Sequence, residues 1–194
     1  MLGLKLPTDP RWVNIVEKNI SEILSDHAWC EQKAASNAIS LIVIYPQHAE
    51  MVTEMVKIAN EEMEHFGMVH QKILERGYTL GFERKDPYVH DLLKFINKNG
   101  VTKQHLLVDR LLFAAMIEAR SCERFRLLSQ EIADKDLRAF YHELMVSEAG
   151  HFTTFLNFAK ELGEGINVDE RWEQWLAYEA GVIQNYGKSE TVHG

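Results

Sequence analysis

Apolar residues recur at intervals of three and four positions along most of this 194-residue chain. That spacing places them on one face of an α-helix. The strict alternation of apolar and polar residues that is typical of a half-buried strand occurs nowhere in the sequence. The pattern therefore predicts an all-α protein.

Prolines, glycines and capping residues mark the expected helix ends. Pro10 favours a short first helix to about Leu24, and Ser25 or Asp26 can cap a second helix that Pro46 interrupts. The later helices are expected at about 47–76, 102–131, 134–162 and 168–185, with a short helix opening at Pro87 inside the connection 77–101. We expect one domain over 1–194, with a bundle core at about 25–163 and a disordered tail at about 187–194.

Two Glu-x-x-His motifs occupy corresponding helices in the two halves of the chain. The first is Glu62 with His65, and the second is Glu148 with His151. Residues three positions apart share a helix face, so each motif directs a carboxylate and an imidazole the same way. Composition alone should produce about one such match in a chain of this kind, so the motifs need support from their surroundings.

A single glutamate precedes each motif at nearly the same distance. Glu31 lies 31 residues before Glu62, and Glu118 lies 30 residues before Glu148. Helices that supply Glu, Glu-x-x-His, Glu and Glu-x-x-His form the ligand set of di-iron or di-manganese centres in four-helix bundles. The spacing predicts a ferritin-like four-helix bundle with one long crossover and additional short helices at the N-terminus, in the crossover and at the C-terminus. Its expected metal ligands are Glu31, Glu62, His65, Glu118, Glu148 and His151.

The residues one turn away from these four glutamates are mostly small or apolar, and none of them is Lys or Arg. A carboxylate that is buried without a partner is costly and normally takes up a proton. Two divalent cations would balance four such carboxylates. Glu64, with Lys57, Asn60 and Glu61 on its side, is by contrast an ordinary solvated glutamate. The alternative is that these are hydrogen-bonded core carboxylates and histidines without a metal.

The charge distribution bears on the choice of partner. The net charge of −8 argues against a nucleic-acid partner, but residues 72–138 contain 13 basic and 10 acidic residues, a local charge of +3. Within this stretch, candidate contacts to a phosphate backbone are Arg84, Lys85, Lys94 and Lys98. Ordinary solvated lysines and arginines explain the same stretch equally well.

The sequence contains no apolar run near the roughly 18 residues that span a bilayer, and its N-terminus has no signal-peptide pattern. We therefore expect a cytoplasmic protein without a membrane partner. The two cysteines, Cys30 and Cys122, form no metal-binding pair and are interpreted as buried thiols.

Four segments around the proposed ligands are more specific than the ligands themselves: DHAWCEQKAAS (26–36), EEMEHF (61–66), LLFAAMIEARSCERF (111–125) and SEAGHF (147–152). From about residue 20 to 160 the chain resembles the tRNA-(2-methylthio-N6-isopentenyladenosine) hydroxylase family, with IEARSCERF as the most distinctive block. The resemblance implies a ferritin-like fold with a non-haem di-iron site whose ligands fall on the same six positions. Gly150 departs from the larger, often basic residue that we expect in relatives.

The resemblance also implies the reaction, an oxygen-dependent hydroxylation of the isopentenyl group on the hypermodified adenosine beside the anticodon. The implied partners are the anticodon loop of tRNA, O2 and an external electron-donor reductase, since the chain has no flavin or iron–sulfur motif. The ligand set suits two Fe ions, and Mn is a further possibility. Two alternatives stay open: a ferritin-like di-iron or di-manganese oxidase or peroxidase that acts on peroxide or a small molecule, and a metal-free helical interaction protein. The sequence leaves the oligomeric state open.

Overall fold

The computed structural model describes residues 2–96, 101–186 and 191–193. In these residues the protein forms seven α-helices and no strand, which confirms the prediction of an all-α protein. None of these helices is both long enough and apolar enough to cross a membrane. The helices are α1 (Trp12–Lys18), α2 (Ile20–Ile44), α3 (Ala49–Glu75), α4 (Pro87–Leu93), α5 (Lys103–Glu131), α6 (Lys135–Leu162) and α7 (Val168–Ile183).

The helices belong to two compact units. The α2/α3 unit comprises Lys18–Lys85 and Glu190–Val192, and α2 packs along α3 within it. The α5/α6 unit comprises Met1–Glu17, Asp86–Ser189 and His193–Gly194. Here α5 packs along α6, while α4 and α7 contact each other and α5. The single domain over 1–194 stays a prediction.

The expected boundary between the first two helices is wrong. Helix α1 ends at Lys18 and α2 starts at Ile20, so Ser25 and Asp26 lie inside α2 rather than at its N-terminus. Their side chains have other partners in the α2/α3 unit. The Ser25 hydroxyl accepts from the backbone N–H of Gly81 at 3.0 Å, and the Asp26 carboxylate accepts from the backbone N–H of Val192 at 2.7 Å.

The other helix ends agree with the sequence signals. Gly77, with a φ of +71°, ends α3 in a left-handed conformation that favours glycine. Asp86 caps α4 just before Pro87, and Thr102 caps α5 by accepting from the N–H of His105. Asp134 caps α6 through the N–H groups of residues 136 and 137. The predicted connection 77–101 includes residues 97–100, which lie outside the described residues.

Helix α5 buries two arginines, and the α5/α6 unit supplies their partners. Arg120 donates to Glu179 of α7 at 2.6 and 3.0 Å, to Glu123 at 3.1 Å and to the carbonyl of Leu6 at 3.0 Å. The Arg124 guanidinium lies 4.7 Å from the centre of the Trp12 ring, and burial lowers the pKa of Arg124 to about 10. The two arginines of the IEARSCERF block therefore attach the N-terminal segment and α7 to α5.

The predicted disordered tail falls partly outside the described residues, because 187–190 and 194 are not among them. Residues 191–193 are described, and the structure differs there from the expectation. Val192 and His193 are buried. Within the α5/α6 unit, His193 Nε2 lies 2.9 Å from Ser121 Oγ, and Nδ1 lies 3.2 Å from Asp86 Oδ2.

Candidate metal centre

The first half-site lies in the α2/α3 unit and consists of Glu31, Glu62 and His65. All three residues are buried, and one ligand atom from each lies within 4.8 Å of the others. His65 Nδ1 is 3.4 Å from Glu62 Oε2 and 3.9 Å from Glu31 Oε2. The single turn between Glu62 and His65 thus presents both groups of α3 to the carboxylate of α2, as the three-residue spacing predicts.

Small side chains on the same helix faces surround this half-site. Ala28 and Ala35 lie one turn before and after Glu31 on α2, and Ala59 lies one turn before Glu62 on α3; all three alanines are buried. Because an alanine occupies little space, the backbones of α2 and α3 can approach closely where their ligands face each other.

His27 is a hydrogen-bonded neighbour of the first half-site. Its Nε2 lies 2.6 Å from Glu31 Oε1, and its side chain is completely buried. An ionised carboxylate can only accept, so His27 would donate through Nε2 in a bond to ionised Glu31. This bond fixes the position of one Glu31 oxygen.

The second half-site lies in the α5/α6 unit and repeats the composition of the first. It consists of Glu118 on α5 with Glu148 and His151 on α6, all buried, and their ligand atoms lie within 4.8 Å of one another. Gly150, between the two ligands of α6, is exposed, and a Cβ at this position would have no heavy atom within 4 Å. The departure from the expected larger residue therefore leaves the ligand face unchanged.

Cys122 lies one turn after Glu118 and is completely buried. Its thiol donates to the carbonyl of Met145 at 3.4 Å. Burial, with a further contribution from the charge of Glu148, raises the pKa of Cys122 to about 12. The thiol therefore keeps its proton at neutral pH, and the interpretation of Cys122 as a buried structural thiol is confirmed.

The donor set of each half-site fits a divalent cation. Two carboxylates and one imidazole are hard or intermediate donors of the kind that Fe(II) and Mn(II) accept. Two ionised carboxylates in a buried position need positive charge, and one divalent ion balances them. The residues that the sequence predicted as ligands are thus brought together as two sets of three, one in each unit.

The four candidate phosphate contacts have different environments. Arg84 forms ion pairs with Glu22 at 3.6 Å and Asp26 at 3.8 Å, and Lys94 forms one with Asp91 on its own helix turn. Lys85 is exposed and forms no ion pair with any residue that the structure describes. Lys98 lies outside the described residues. Of the three that are described, only the Lys85 ammonium is fully available for a phosphate.

The fold has a close counterpart of known structure. "Protein 43 with aldehyde deformylating oxygenase activity" from Synechococcus superimposes with a TM-score of 0.89 and 30% identity, covering 98% of this chain and 95% of that chain. This likeness defines the protein as a ferritin-like one and confirms the predicted fold class. Within that class, the chain belongs to the tRNA-(MS2IO6A)-hydroxylase (MiaE) family, whose model matches residues 2–194. Members are hydroxylases, which makes this protein an oxidoreductase.

Two curated relatives support the same family. The tRNA 2-(methylsulfanyl)-N(6)-isopentenyladenosine(37) hydroxylase of Pseudomonas putida is 35% identical over 190 residues, which are 98% of this chain and 91% of the relative. The protein with the same description from Salmonella typhimurium is 26% identical over 219 residues, covering 87% of this chain and 80% of the relative. The family resemblance inferred from the ligand segments is confirmed.

Proposed function

We propose that this protein hydroxylates the isopentenyl group of 2-(methylsulfanyl)-N6-isopentenyladenosine next to the anticodon of tRNA. The observation that carries the proposal is the family match over residues 2–194, together with the shared description of both curated relatives. The reaction needs a metal that can activate oxygen. The buried set of two glutamates and one histidine in each unit offers suitable ligands for such a metal. A tRNA substrate further implies a cytoplasmic location.

The proposed cofactor is a pair of non-haem iron ions, one at each half-site, with manganese as the other metal that the donors accept. The ferritin-like fold class and the equal composition of the half-sites support a dinuclear centre. When bound, the iron pair would activate O2 for insertion into a C–H bond. Hydroxylation consumes O2, two electrons and two protons and yields the alcohol and water, so an external reductase must deliver the electrons.

The side chains of the protein have three tasks in this reaction. The four glutamates would bind the metal as ionised carboxylates, and the two histidines would bind it as neutral imidazoles. His27 keeps one Glu31 oxygen in a fixed orientation through its hydrogen bond. Beside Glu148 on α6, Met145 and Phe152 provide apolar surface for the prenyl group and exclude water from it.

The modified nucleoside lies in a part of the tRNA that a protein can reach. A base in the anticodon loop is single-stranded, so it can leave its stack and enter a pocket without opening a duplex. Phosphates of the loop need positive charge on the protein surface. Lys85 is the first candidate, because Arg84 and Lys94 are already paired with carboxylates.

The direct test is to load the protein with Fe(II) without oxygen, add reductant and prenylated tRNA, and then admit O2. Mass analysis of the tRNA nucleosides should show a gain of one oxygen atom on the prenylated adenosine. Metal analysis should give about two iron ions per chain. Transfer RNA without the prenyl group is the control and should stay unchanged. Absence of the hydroxylated nucleoside from iron-loaded, reduced protein would contradict the proposal.

A second candidate activity follows from the solved structure of similar fold, whose title specifies aldehyde deformylating oxygenase activity. If this chain shared that activity, the iron-loaded protein would convert an aldehyde into a product one carbon shorter. The same preparation can be given the aldehyde or hydrogen peroxide in place of tRNA. Consumption of either small molecule, with prenylated tRNA unchanged, would make an oxidase or peroxidase the better description.

A further inference from the structure

Phe82 has the most exposed large apolar side chain among the residues that the structure describes. It is 97% exposed, and the next in order, Val43, is 72% exposed. Phe82 lies in the connection between α3 and α4, inside the α2/α3 unit. A fully exposed phenylalanine ring contributes no burial energy to folding and stays available to a binding partner.

Hydrogen bonds to α2 hold the chain on both sides of Phe82. Before it, Gly81 donates to Ser25 Oγ at 3.0 Å and accepts from Trp29 Nε1 at 2.9 Å. After it, the carbonyl of Arg84 accepts from Lys33 Nζ at 3.1 Å. A Cβ on Gly81 would lie only 3.3 Å from Ser25 Oγ, so glycine permits this close approach. We call residues 81–85 the tethered segment; its attachment keeps the Phe82 ring pointing into solvent.

Further aromatic rings lie beside the tethered segment on α2 and α3. The Trp29 ring, which is bonded to Gly81, has its centre 5.9 Å from that of Phe66. Phe66 in turn stacks on His70, with ring centres 6.3 Å apart and an angle of 19° between the planes. All three side chains are half-buried. Phe66 lies one turn after Glu62 on the same face of α3, so this aromatic surface adjoins the first half-site.

The charges of the tethered segment leave one cation available. Glu83 pairs with Lys33 at 3.1 Å, and Arg84 pairs with Glu22 and Asp26. Lys85 is exposed and has no ion pair among the described residues. An exposed aromatic ring three residues from an available ammonium matches the chemistry of a single-stranded nucleic acid, which offers flat bases and phosphates at short intervals. Charged side chains flank Phe82 in the tethered segment, which favours a charged partner such as a nucleic acid.

We propose that Phe82 stacks on an unpaired base of the anticodon loop and that Lys85 binds a phosphate of the same loop. The inference rests on the proposed function and extends it, since it names a docking surface for the tRNA substrate. A residue that stacks on the loop beside the first half-site would hold the modified adenosine near the metal ligands. Phe82 would therefore contribute to the affinity for tRNA and would have no effect on metal binding.

Four variants of the full chain test this role: Phe82→Ala, Phe82→Leu, Phe82→Trp and, as a matched control, Val43→Ala at the next most exposed apolar position of the same unit. The measurement is the Kd for a fluorescently labelled, prenylated anticodon stem-loop. Loss of one base–aromatic stack should weaken binding about five- to hundredfold in the Ala and Leu variants. Phe82→Trp should retain the affinity, since indole also stacks on a base, and Val43→Ala should not change it.

The salt dependence separates stacking from charge. Lys85→Ala should weaken binding and reduce the slope of log K against log salt concentration by about one. Phe82→Ala should leave that slope unchanged, because it removes no charge. The melting temperature of Phe82→Ala should equal that of the wild type, since a fully exposed ring makes few contacts to lose.

Two results would overturn the inference. One is equal RNA affinity of Phe82→Ala and wild type, and the other is full affinity of Phe82→Leu, which would indicate an apolar contact without stacking. Hydroxylation of tRNA by the wild type is measured in parallel. If the wild type hydroxylates tRNA and Phe82→Ala binds it normally, the docking surface is wrong while the proposed function stands. If the wild type neither binds nor hydroxylates tRNA, both fail.

Discussion

Arg120 on α5 and Glu179 on α7 form an ion pair without any solvent exposure, with Nη2 at 2.6 Å from Oε1. The same carboxylate oxygen accepts from the hydroxyl of Tyr88 on α4 at 3.0 Å. Burial and the charge of Glu179 raise the pKa of Tyr88 well above its ordinary value, so Tyr88 stays a donor. One glutamate thus connects three helices of the α5/α6 unit.

We expect Glu179→Ala to lower the free energy of unfolding by about 3–5 kcal/mol, because it leaves the Arg120 guanidinium buried without its main partner. Urea denaturation followed by circular dichroism measures the change. Glu173→Ala is the control, since Glu173 pairs with Lys5 at 3.3 Å on the surface and should contribute less than about 1 kcal/mol. If both variants lost a similar free energy of unfolding, the buried ion pair would contribute no more to stability than the surface pair.

The two histidine ligands give a prediction about activity. His65→Ala and His151→Ala should each abolish hydroxylation and lower the bound metal, because an ion that lacks its imidazole is held in the wrong position. The helical content should stay the same. Glu64→Ala, at an exposed position next to His65, should retain activity and metal. Equal damage at Glu64 and His65 would mean that the ligand face of α3 is assigned wrongly.

His27 should act on the metal through Glu31. Without the 2.6 Å bond to His27, one Glu31 oxygen loses its orientation, so His27→Ala should weaken Fe(II) binding about 10- to 100-fold. His27→Gln, which can still donate to Glu31, should recover part of the affinity. His142→Ala replaces an exposed histidine and should have no effect. Anaerobic titration with Fe(II) gives the affinities, and an unchanged value for His27→Ala would exclude a role in positioning Glu31.

The raised pKa of Cys122 predicts slow thiol chemistry in the folded protein. At pH 8, thiol reagents should label Cys122 only after unfolding, as mass analysis of the labelled peptides can show. In the folded state the thiol titrates at about 12, whereas an unfolded thiol titrates near 9. Between these values the folded state holds more protons, so this contribution to stability is complete below about pH 9 and is lost as the pH rises towards 12. The free energy of unfolding should therefore fall more steeply with pH in wild type than in Cys122→Ala.

Much of the fold and the ligand set could be predicted from the sequence because both depend on short-range geometry. A Glu-x-x-His motif orients its two side chains by helix periodicity alone, and Thr102 and Asp134 cap helices through N–H groups within three residues. The composition of each half-site follows from this spacing. Ser25 and Asp26 show the limit of such reasoning, because they have the chemistry of caps but lie inside α2.

What the tertiary structure decided is which partner each polar side chain has. Arg120 and Glu179 are 59 residues apart, and Asp26 and Val192 are 166 apart. Arg84 is predicted to contact a phosphate, and its pairing with Glu22 and Asp26 comes from the packing of the chain. Phe82 carried no signal in the sequence. Local backbone hydrogen bonds are determined by neighbouring residues, so periodicity and capping reveal them. Partners that lie far apart in the chain meet only when the helices pack, and that packing decides which charges are paired and which ring stays in solvent.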